Sequence, residues 1–265
     1  MVVDKRAGID QVVKGMKDGV SIVIGGWGPS RKPMALIRAI AGSSLKDLTI
    51  LSYAAIDLDL LIGAGKVKTA VFGFVAFDGA PGQVGNFNRA RSEGSVEIKE
   101  SDEYIFACQF KAAADRIPFY PVRGGIGTDI LTVNPEIQTI KDPYNGETLV
   151  AIPAFTPDYA IIHVNEADQL GNGRIIGDAH WDRLFVRAAD KVILSAEKIV
   201  PVGEIRESAI LSTYVDRVVE APQGALPGSC YPDYAFDAKE LARYGKATKD
   251  PEDFEKYLQE MLKGD

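Results

Sequence analysis

An α/β protein with a largely parallel sheet flanked by helices is the fold class that this sequence of 265 residues predicts. Three observations carry the prediction. Short apolar runs such as Ile22 to Ile24 read as strands, and segments with apolar residues at helical spacing lie between them. The two kinds alternate as far as Val75 in the order helix, strand, helix, strand, helix, strand, the pattern of a parallel sheet with crossover helices. A glycine loop, G-G-W-G at Gly25 to Gly28, joins the first strand to the helix that follows it.

Taken in order, Asp4 to Lys17 carries Ile9, Val12, Val13 and Met16 at helical spacing, and Asp18-Gly19 ends it. Val20 to Ile24 is a strand, Pro33 to Ala41 a helix and Leu48 to Ser52 a strand. Asp57 to Ala64 is a helix with Asp57 as N-cap and Gly65 as stop, and Val67 to Val75 is a strand. Phe77 to Arg91 is glycine-rich and then polar-aromatic, with Gly79 to Asn88 readable as a lid over a site or as a plain surface loop. Ser95 to Lys99 alternates as a strand. The run E-S-D-E-Y-I-F-A-C-Q-F-K-A-A-A-D-R is a helix with Ser101 as N-cap and acids in its first turn. After Pro118 a second strand ends in a glycine loop. Leu149 to Ile152, Ala160 to Val164, Val192 to Ser195 and Arg217 to Glu220 are further strands, and Asp182 to Ala189 a helix. Ala221 to Tyr234, rich in Pro, Gly and Tyr, is an ordered loop suited to a subunit contact. Asp250-Pro251 opens a closing helix over about 251–263, and the whole chain, 1–265, reads as one domain.

Composition narrows the function. Hydrophobic residues make up 46% and charged residues 25%, as in a soluble globular protein. A net charge of −7 and the lack of any basic run argue against nucleic acid as a partner. Cys108 and Cys230 stand far apart without His or Cys at metal spacing, so no metal site is expected and a cytoplasmic setting fits. No segment has the length and apolarity of a membrane span.

Two glycine loops suggest the site. Gly25 and Gly26 follow a strand, precede Trp27, Arg31 and Lys32, and let a ligand approach the backbone near a helix start. An ordinary tight βα turn would use the same glycines. Arg123 with Gly124 and Gly125 repeats the arrangement. Guanidinium groups and bare N–H groups both stabilise carbonyl or carboxylate oxygens, so Arg31 and Arg123 are candidates for holding such a substrate. Surface salt bridges are the plainer reading of both. Neither loop has the spacing G-x-x-x-x-G-K-S/T or G-x-G-x-x-G, which sets aside nucleoside triphosphates and NAD. Glu103 is either a helix-start acid or a general base. His163, between Ile162 and Val164, reads as a core residue, and a substrate-facing role for His180 has no support in the sequence.

Longer stretches carry a resemblance. G-G-W-G-P-S-R-K-P-M-A-L-I-R-A-I, Gly63 to Lys68, Phe110 to Asp129, Asp142 to Ala154, Asp158 to Asn172 and Val218 to Ala225 together resemble the α subunit of class I CoA-transferases of the glutaconate type. Within that family the chain is most similar to the α subunit of the steroid-ring-opening CoA-thioester hydrolases of actinobacterial cholesterol degradation. The likeness rests on Trp27 in the first glycine loop, G-K-V-K followed by F-G-F-V at Phe72 to Val75, and S-D-E at Ser101 to Glu103. The resemblance implies a homologous β subunit in an αβ or α2β2 assembly and an active site near their interface. It also implies an acyl-CoA substrate that itself carries coenzyme A, no separately bound cofactor, and Glu103 as the essential acid-base residue. A base at a helix start needs a partly desolvating wall, for which Trp27 and Phe87 are candidates. The alternatives are CoA transfer through a β-subunit glutamate, and a non-catalytic metabolite-binding α/β module.

Overall fold

The computed structural model describes residues 4–76 and 84–263. In chain order the elements are α1 (Ile9–Lys14), β1 (Ser21–Ile24), α2 (Met34–Gly42), β2 (Leu48–Ala54), α3 (Ile56–Gly63), β3 (Val67–Val75), α4 (Gly85–Glu93) and β4 (Glu97–Glu100). Next come α5 (Glu103–Ala114), β5 (Phe119–Val122), α6 (Ile130–Val133), β6 (Gln138–Lys141), β7 (Thr148–Pro153), β8 (Tyr159–Asp168) and β9 (Gly173–Arg174). The chain closes with α7 (Asp182–Ala188), β10 (Lys191–Val200), β11 (Arg217–Glu220), α8 (Ala238–Ala247) and α9 (Pro251–Lys263).

The main sheet runs β11-β10-β8-β1-β2-β3-β4, every neighbouring pair parallel, with β9 antiparallel on β8. Alternation along β1 shows why its apolar run is unbroken. Ile22 and Ile24 enter a core shared with Met34, Leu36, Leu58 and Phe254, whereas Val23 enters the opposite core with Phe106, Phe110 and Phe185. Helices α1 to α4, α8 and α9 thus contribute to one face of the sheet, and α5 and α7 cover the other.

Helix α5 has a second neighbour. Its Ile105 and Cys108 pack with Val122, Val150 and Ile152 of an antiparallel three-stranded sheet in the order β5-β7-β6. The strand that leads into the second glycine loop therefore belongs to this small sheet and not to the parallel one.

Local capping departs from the sequence reading in two places. The N-cap of α5 is Asp102, whose carboxylate accepts the Ile105 N–H at 2.8 Å, so Ser101 lies just outside the helix. Asp57 is not an N-cap: α3 starts one residue earlier, and the Asp57 carboxylate accepts the Ala55 N–H at 2.7 Å while serving Ser52 and Lys32. The first helix is also shorter than its apolar pattern, bounded by Gly8 and Gly15. Residues 77–83, and with them 79–83 of the expected lid, lie outside the described residues, and from Gly85 the chain is α4.

Candidate functional site

The sheet reverses its winding at β1. The chain proceeds from β1 to β2, β3 and β4 on one side, and from β8 to β10 and β11 on the other. In open α/β sheets the crevice beyond the carboxyl ends of the strands at such a point is where ligands bind. Four segments meet there: the loop after β1 with Trp27, the end of β2 with Tyr53, the end of β3 with Gly73 and Phe74, and the start of α5 with Glu103.

Glu103 is the first residue of α5 and its side chain is exposed. The Trp27 Nε1–H donates to Glu103 Oε1 at 2.7 Å, and the Tyr53 hydroxyl donates to the Glu103 carbonyl at 2.5 Å. Burial, with the Glu103 carboxylate beside it, drives the Tyr53 phenol far above its ordinary range, so it remains a donor. Trp27 meets Phe74 edge to face at 5.2 Å between ring centroids and stacks on His180 at 6.0 Å. The apolar wall of the site is thus Trp27 and Phe74. Phe87 packs on Phe72 in the other core, on the far side of the sheet, which corrects its expected place beside Glu103.

The backbone makes room for this contact. The β2–β3 register passes from Ser52↔Phe72 to Tyr53↔Phe74, so Gly73 is skipped as a bulge residue. A Cβ there would lie 2.9 Å from the Glu103 Cα and 3.0 Å from a Tyr53 ring carbon. Bulges of this kind re-aim neighbouring groups beside active sites.

The first glycine loop is held by a buried polar framework. Arg31, 2% exposed and at a φ of 50°, pairs with Asp182 at 2.6 Å and donates to the carbonyls of His163 and Asp178 at 3.1 and 2.7 Å. Asp182 also accepts the Gly26 N–H at 2.8 Å, and the Gly25 N–H goes to Ile161 O at 2.9 Å. The Ala35 N–H in the first turn of α2 is taken by the Gly224 carbonyl. Gly26, at φ 74°, needs to lack a side chain, because a Cβ would stand 2.2 Å from Ser30 O. These N–H groups and the Arg31 guanidinium therefore build the loop, and the part of it that reaches Glu103 is Trp27. Lys32, likewise buried, donates to Ser52 Oγ at 2.8 Å and lies 3.2 Å from Asp57; burial pulls its pKa down and Asp57 opposes that.

Arg123, just past β5, is exposed and forms a two-pronged pair at 2.8 Å with Glu147, just before β7. Gly124 follows it, and Gly125 rests against Ile105, Ile130 and Val150. The second glycine loop thus lies against the first turn of α5, through Ile105, while Arg31 is buried on Asp182. His180 is the residue that sequence reasoning passed over: half-buried, at a φ of 45°, and against Trp27. Burial lowers its pKa, Asp178 opposes this, and Arg31 adds to it, so the imidazole is neutral at pH 7. A histidine next to the only other tryptophan of the chain was the available signal.

His163 is fully buried, as its setting suggested. Its Nδ1 meets Ser195 Oγ at 2.9 Å and its Nε2 meets Glu197 Oε1 at 2.7 Å, while Tyr234 O–H also binds Glu197. The order Ser-His-Glu matches a hydrolytic triad, but Ser195 has no exposed surface for a substrate to reach. His163, Glu197 and Cys230 also place potential metal ligands within 4.8 Å of one another. Burial and the nearby Glu197 and Asp233 push the Cys230 thiol up to about 12, so it is no thiolate at pH 7, and His163 is already engaged at both nitrogens.

Comparison with known proteins places this geometry in a family. Residues 7–221 match the family model for Coenzyme A transferase. The chain is 38% identical over 274 residues to the cholesterol ring-cleaving hydrolase IpdA subunit of Rhodococcus jostii (strain RHA1), covering 98% of this chain and 93% of that one. Among solved structures it is similar to glutaconate coenzyme A-transferase from Acidaminococcus fermentans, with a TM-score of 0.91 and 30% identity over 97% of this chain and 88% of the other. It is also similar to the decarboxylase AibA/AibB, with a TM-score of 0.88 and 29% identity over 98% of this chain and 100% of the other. With a matching model over most of its length and a relative at this identity across nearly all of it, the chain belongs to the coenzyme A transferase family.

Proposed function

We propose that the chain is the α subunit of a heteromeric enzyme that hydrolytically opens a ring in a cyclic-ketone, steroid-derived CoA thioester, with Glu103 as general base. The observation that carries this reading is the 2.7 Å hydrogen bond from Trp27 Nε1–H to Glu103 Oε1 at the switch point of the sheet. It fixes one carboxylate oxygen and leaves Oε2 without a hydrogen-bond partner among the described residues, free to receive a proton. Likeness to a ring-cleaving hydrolase subunit supplies the reaction class, and likeness to heteromers supports a homologous β subunit that completes the site.

In this mechanism Glu103 removes a proton from water as the water oxygen bonds to the ring ketone carbon. The adjacent ring C–C bond then breaks, its electron pair passing to the carbon alpha to a second carbonyl. That carbon recovers the proton from Glu103, so water is consumed and a carboxylic acid is left on the opened ring, which ionises to a carboxylate by losing its own proton to solvent. Trp27 and Phe74 exclude bulk water from one side of the carboxylate, and the Tyr53 bond fixes the first turn of α5.

A second reading is CoA transfer between an acyl-CoA and a carboxylic acid through a glutamate of the β subunit. The backbone likeness to glutaconate coenzyme A-transferase supports it. The test is mass spectrometry of the assembled complex with and without Glu103→Ala. Ring opening without an acceptor acid, reduced about a hundredfold or more in the variant, is the expected result for a general base. Passage of CoA to added acetate or a dicarboxylate, with Glu103→Ala nearly as active as wild type, overturns the hydrolase reading.

A further inference from the structure

Lys111 lies two turns along α5 from Glu103, about 12 Å at the helical rise. Side chains on a helix lean toward its N-terminus, and this one reaches back over the residue next to Glu103. Its Nζ lies 4.5 Å from the ring centroid of Tyr104 and 5.5 Å from those of Tyr120 and Trp181. Three elements therefore supply the cage: the first turn of α5, β5, and the residue before α7.

The cage joins the catalytic mouth by contact. Trp181 follows His180, His180 stacks on Trp27, and Trp27 holds Glu103. The charge on Lys111 is unspent: among the described residues no carboxylate pairs with it, and the acid at the far end of the same helix, Asp115, is taken by Arg187 at 3.0 Å. The other basic groups around the site differ, since Arg31 and Lys32 are buried on Asp182 and Asp57 and Arg123 is bound to Glu147. Ring faces attract an ammonium through their quadrupoles and fix its position, but unlike a carboxylate they leave its net positive charge to act on a ligand. Tyr104 is exposed, so the cage opens to solvent.

We propose that Lys111, held by Tyr104, Tyr120 and Trp181, is the subsite for a substrate oxyanion remote from the bond that breaks. The inference rests on the acyl-CoA reading of the site, because such substrates carry anionic groups at a distance from the thioester. The oxyanion is a carboxylate on the acyl group or a phosphate of coenzyme A. Lysine suits either, as a compact point charge with three donors.

Calorimetric titration of the assembled complex with four thioesters tests this: glutaryl-CoA, butyryl-CoA, glutaryl-pantetheine and butyryl-pantetheine. Lys111→Met keeps the aliphatic stem and removes the charge, and Lys111→Arg restores a charge. If the group is a carboxylate, Lys111→Met raises the Kd of both glutaryl thioesters about tenfold, leaves both butyryl thioesters within about twofold, and Lys111→Arg recovers most of the loss. If it is a phosphate, both CoA thioesters weaken and both pantetheine thioesters do not. Equal shifts for all four, or no shift in Kd with a fall in Tm, overturn the subsite and leave the cage as packing. Turnover is measured separately: anion-dependent binding in a complex that processes no thioester retains the subsite and refutes the hydrolase reading, while failure to bind any of the four refutes both.

Discussion

The indole N–H of Trp27 and the carboxylate of Glu103 are joined by a 2.7 Å hydrogen bond that ties the loop after β1 to the first turn of α5. The bond orients a side chain that the fold otherwise leaves exposed. Trp27→Phe keeps the ring against Phe74 and removes only the donor. Its expected effect is a fall in kcat of about tenfold with little change in KM, well short of the hundredfold or more expected for Glu103→Ala. Steady-state kinetics on the assembled complex check both, and equal losses in the two variants would show that Trp27 does more than orient the acid.

Gly73 sets how close α5 can come to β3. Gly73→Ala places a Cβ 2.9 Å from the Glu103 Cα, where only a shift of the α5 first turn or of the bulge can relieve it. A displacement on the order of 1 Å at a catalytic group costs about a hundredfold in rate. The variant is expected to lose activity by that order while its thermal transition moves little, which kinetics and calorimetry on the same preparation will show.

The Arg31–Asp182 pair is a matter of stability. Both side chains are essentially inaccessible, and Asp182 also receives the Gly26 N–H. Asp182→Ala leaves a guanidinium buried without its counter-charge, expected to cost about 3–5 kcal/mol. A urea titration checks this through a lowered midpoint, and an unchanged midpoint would mean that the carbonyls of His163 and Asp178 suffice for Arg31.

Asp59 gives the protein a pH dependence of definite sign. Burial raises its pKa to about 6, and the hydrogen bonds from the Phe87 N–H, Tyr244 O–H and Asn86, with Arg89 nearby, offset only part of that rise. The folded-state value lies above the unfolded one, so the folded state holds this proton more tightly. The resulting stability is fully present below the ordinary carboxylate range and is lost as pH rises through about 6. Asp59→Asn removes the titration. Between about pH 4 and 7 the wild type should lose on the order of 2–3 kcal/mol relative to this variant in denaturant unfolding, given about 1.4 kcal/mol per unit of pKa change. A difference that stays constant with pH would contradict the assignment.

The parts of the fold legible in the sequence are those set by near neighbours. The run Ile22 to Ile24 specifies a two-sided strand wherever it is placed, and the first-turn acid at Glu103 marks a helix start. Long-range partners are not written locally. Arg31 resembled a ligand-binding cation because its counter-ion, Asp182, is 151 positions away. Asp57 resembled a cap because its service to Lys32 and Ser52 appears only once β2 lies beside the loop after β1. The tertiary pairing of β5 with β7 put the strand leading to Arg123 in a separate sheet, a choice that strand pattern cannot express. Helix α8 was within reach: Asp237 caps the N–H groups of Lys239 and Glu240, and Leu241 and Tyr244 follow at the spacing of a buried stripe.

The loop after β1 is tied to a much later part of the chain. Arg31 N–H bonds the Ser229 carbonyl, Ser229 N–H bonds the Pro29 carbonyl, and Ala35 N–H bonds the Gly224 carbonyl. During synthesis the segment around Trp27 emerges early, but the Gly224 and Ser229 carbonyls that complete its fastening emerge only after every strand of the main sheet. The sheet can assemble strand by strand while this loop waits, so a chain released short of Ser229 would have its strands and the hold of Asp182 on the loop, but not the ties that finish it. Contacts of such high sequence separation form late because closing the intervening chain costs entropy before it is compensated. Competence for binding is thus a property of the completed polypeptide, and a translation product cut before this segment is expected to be folded in part and inert.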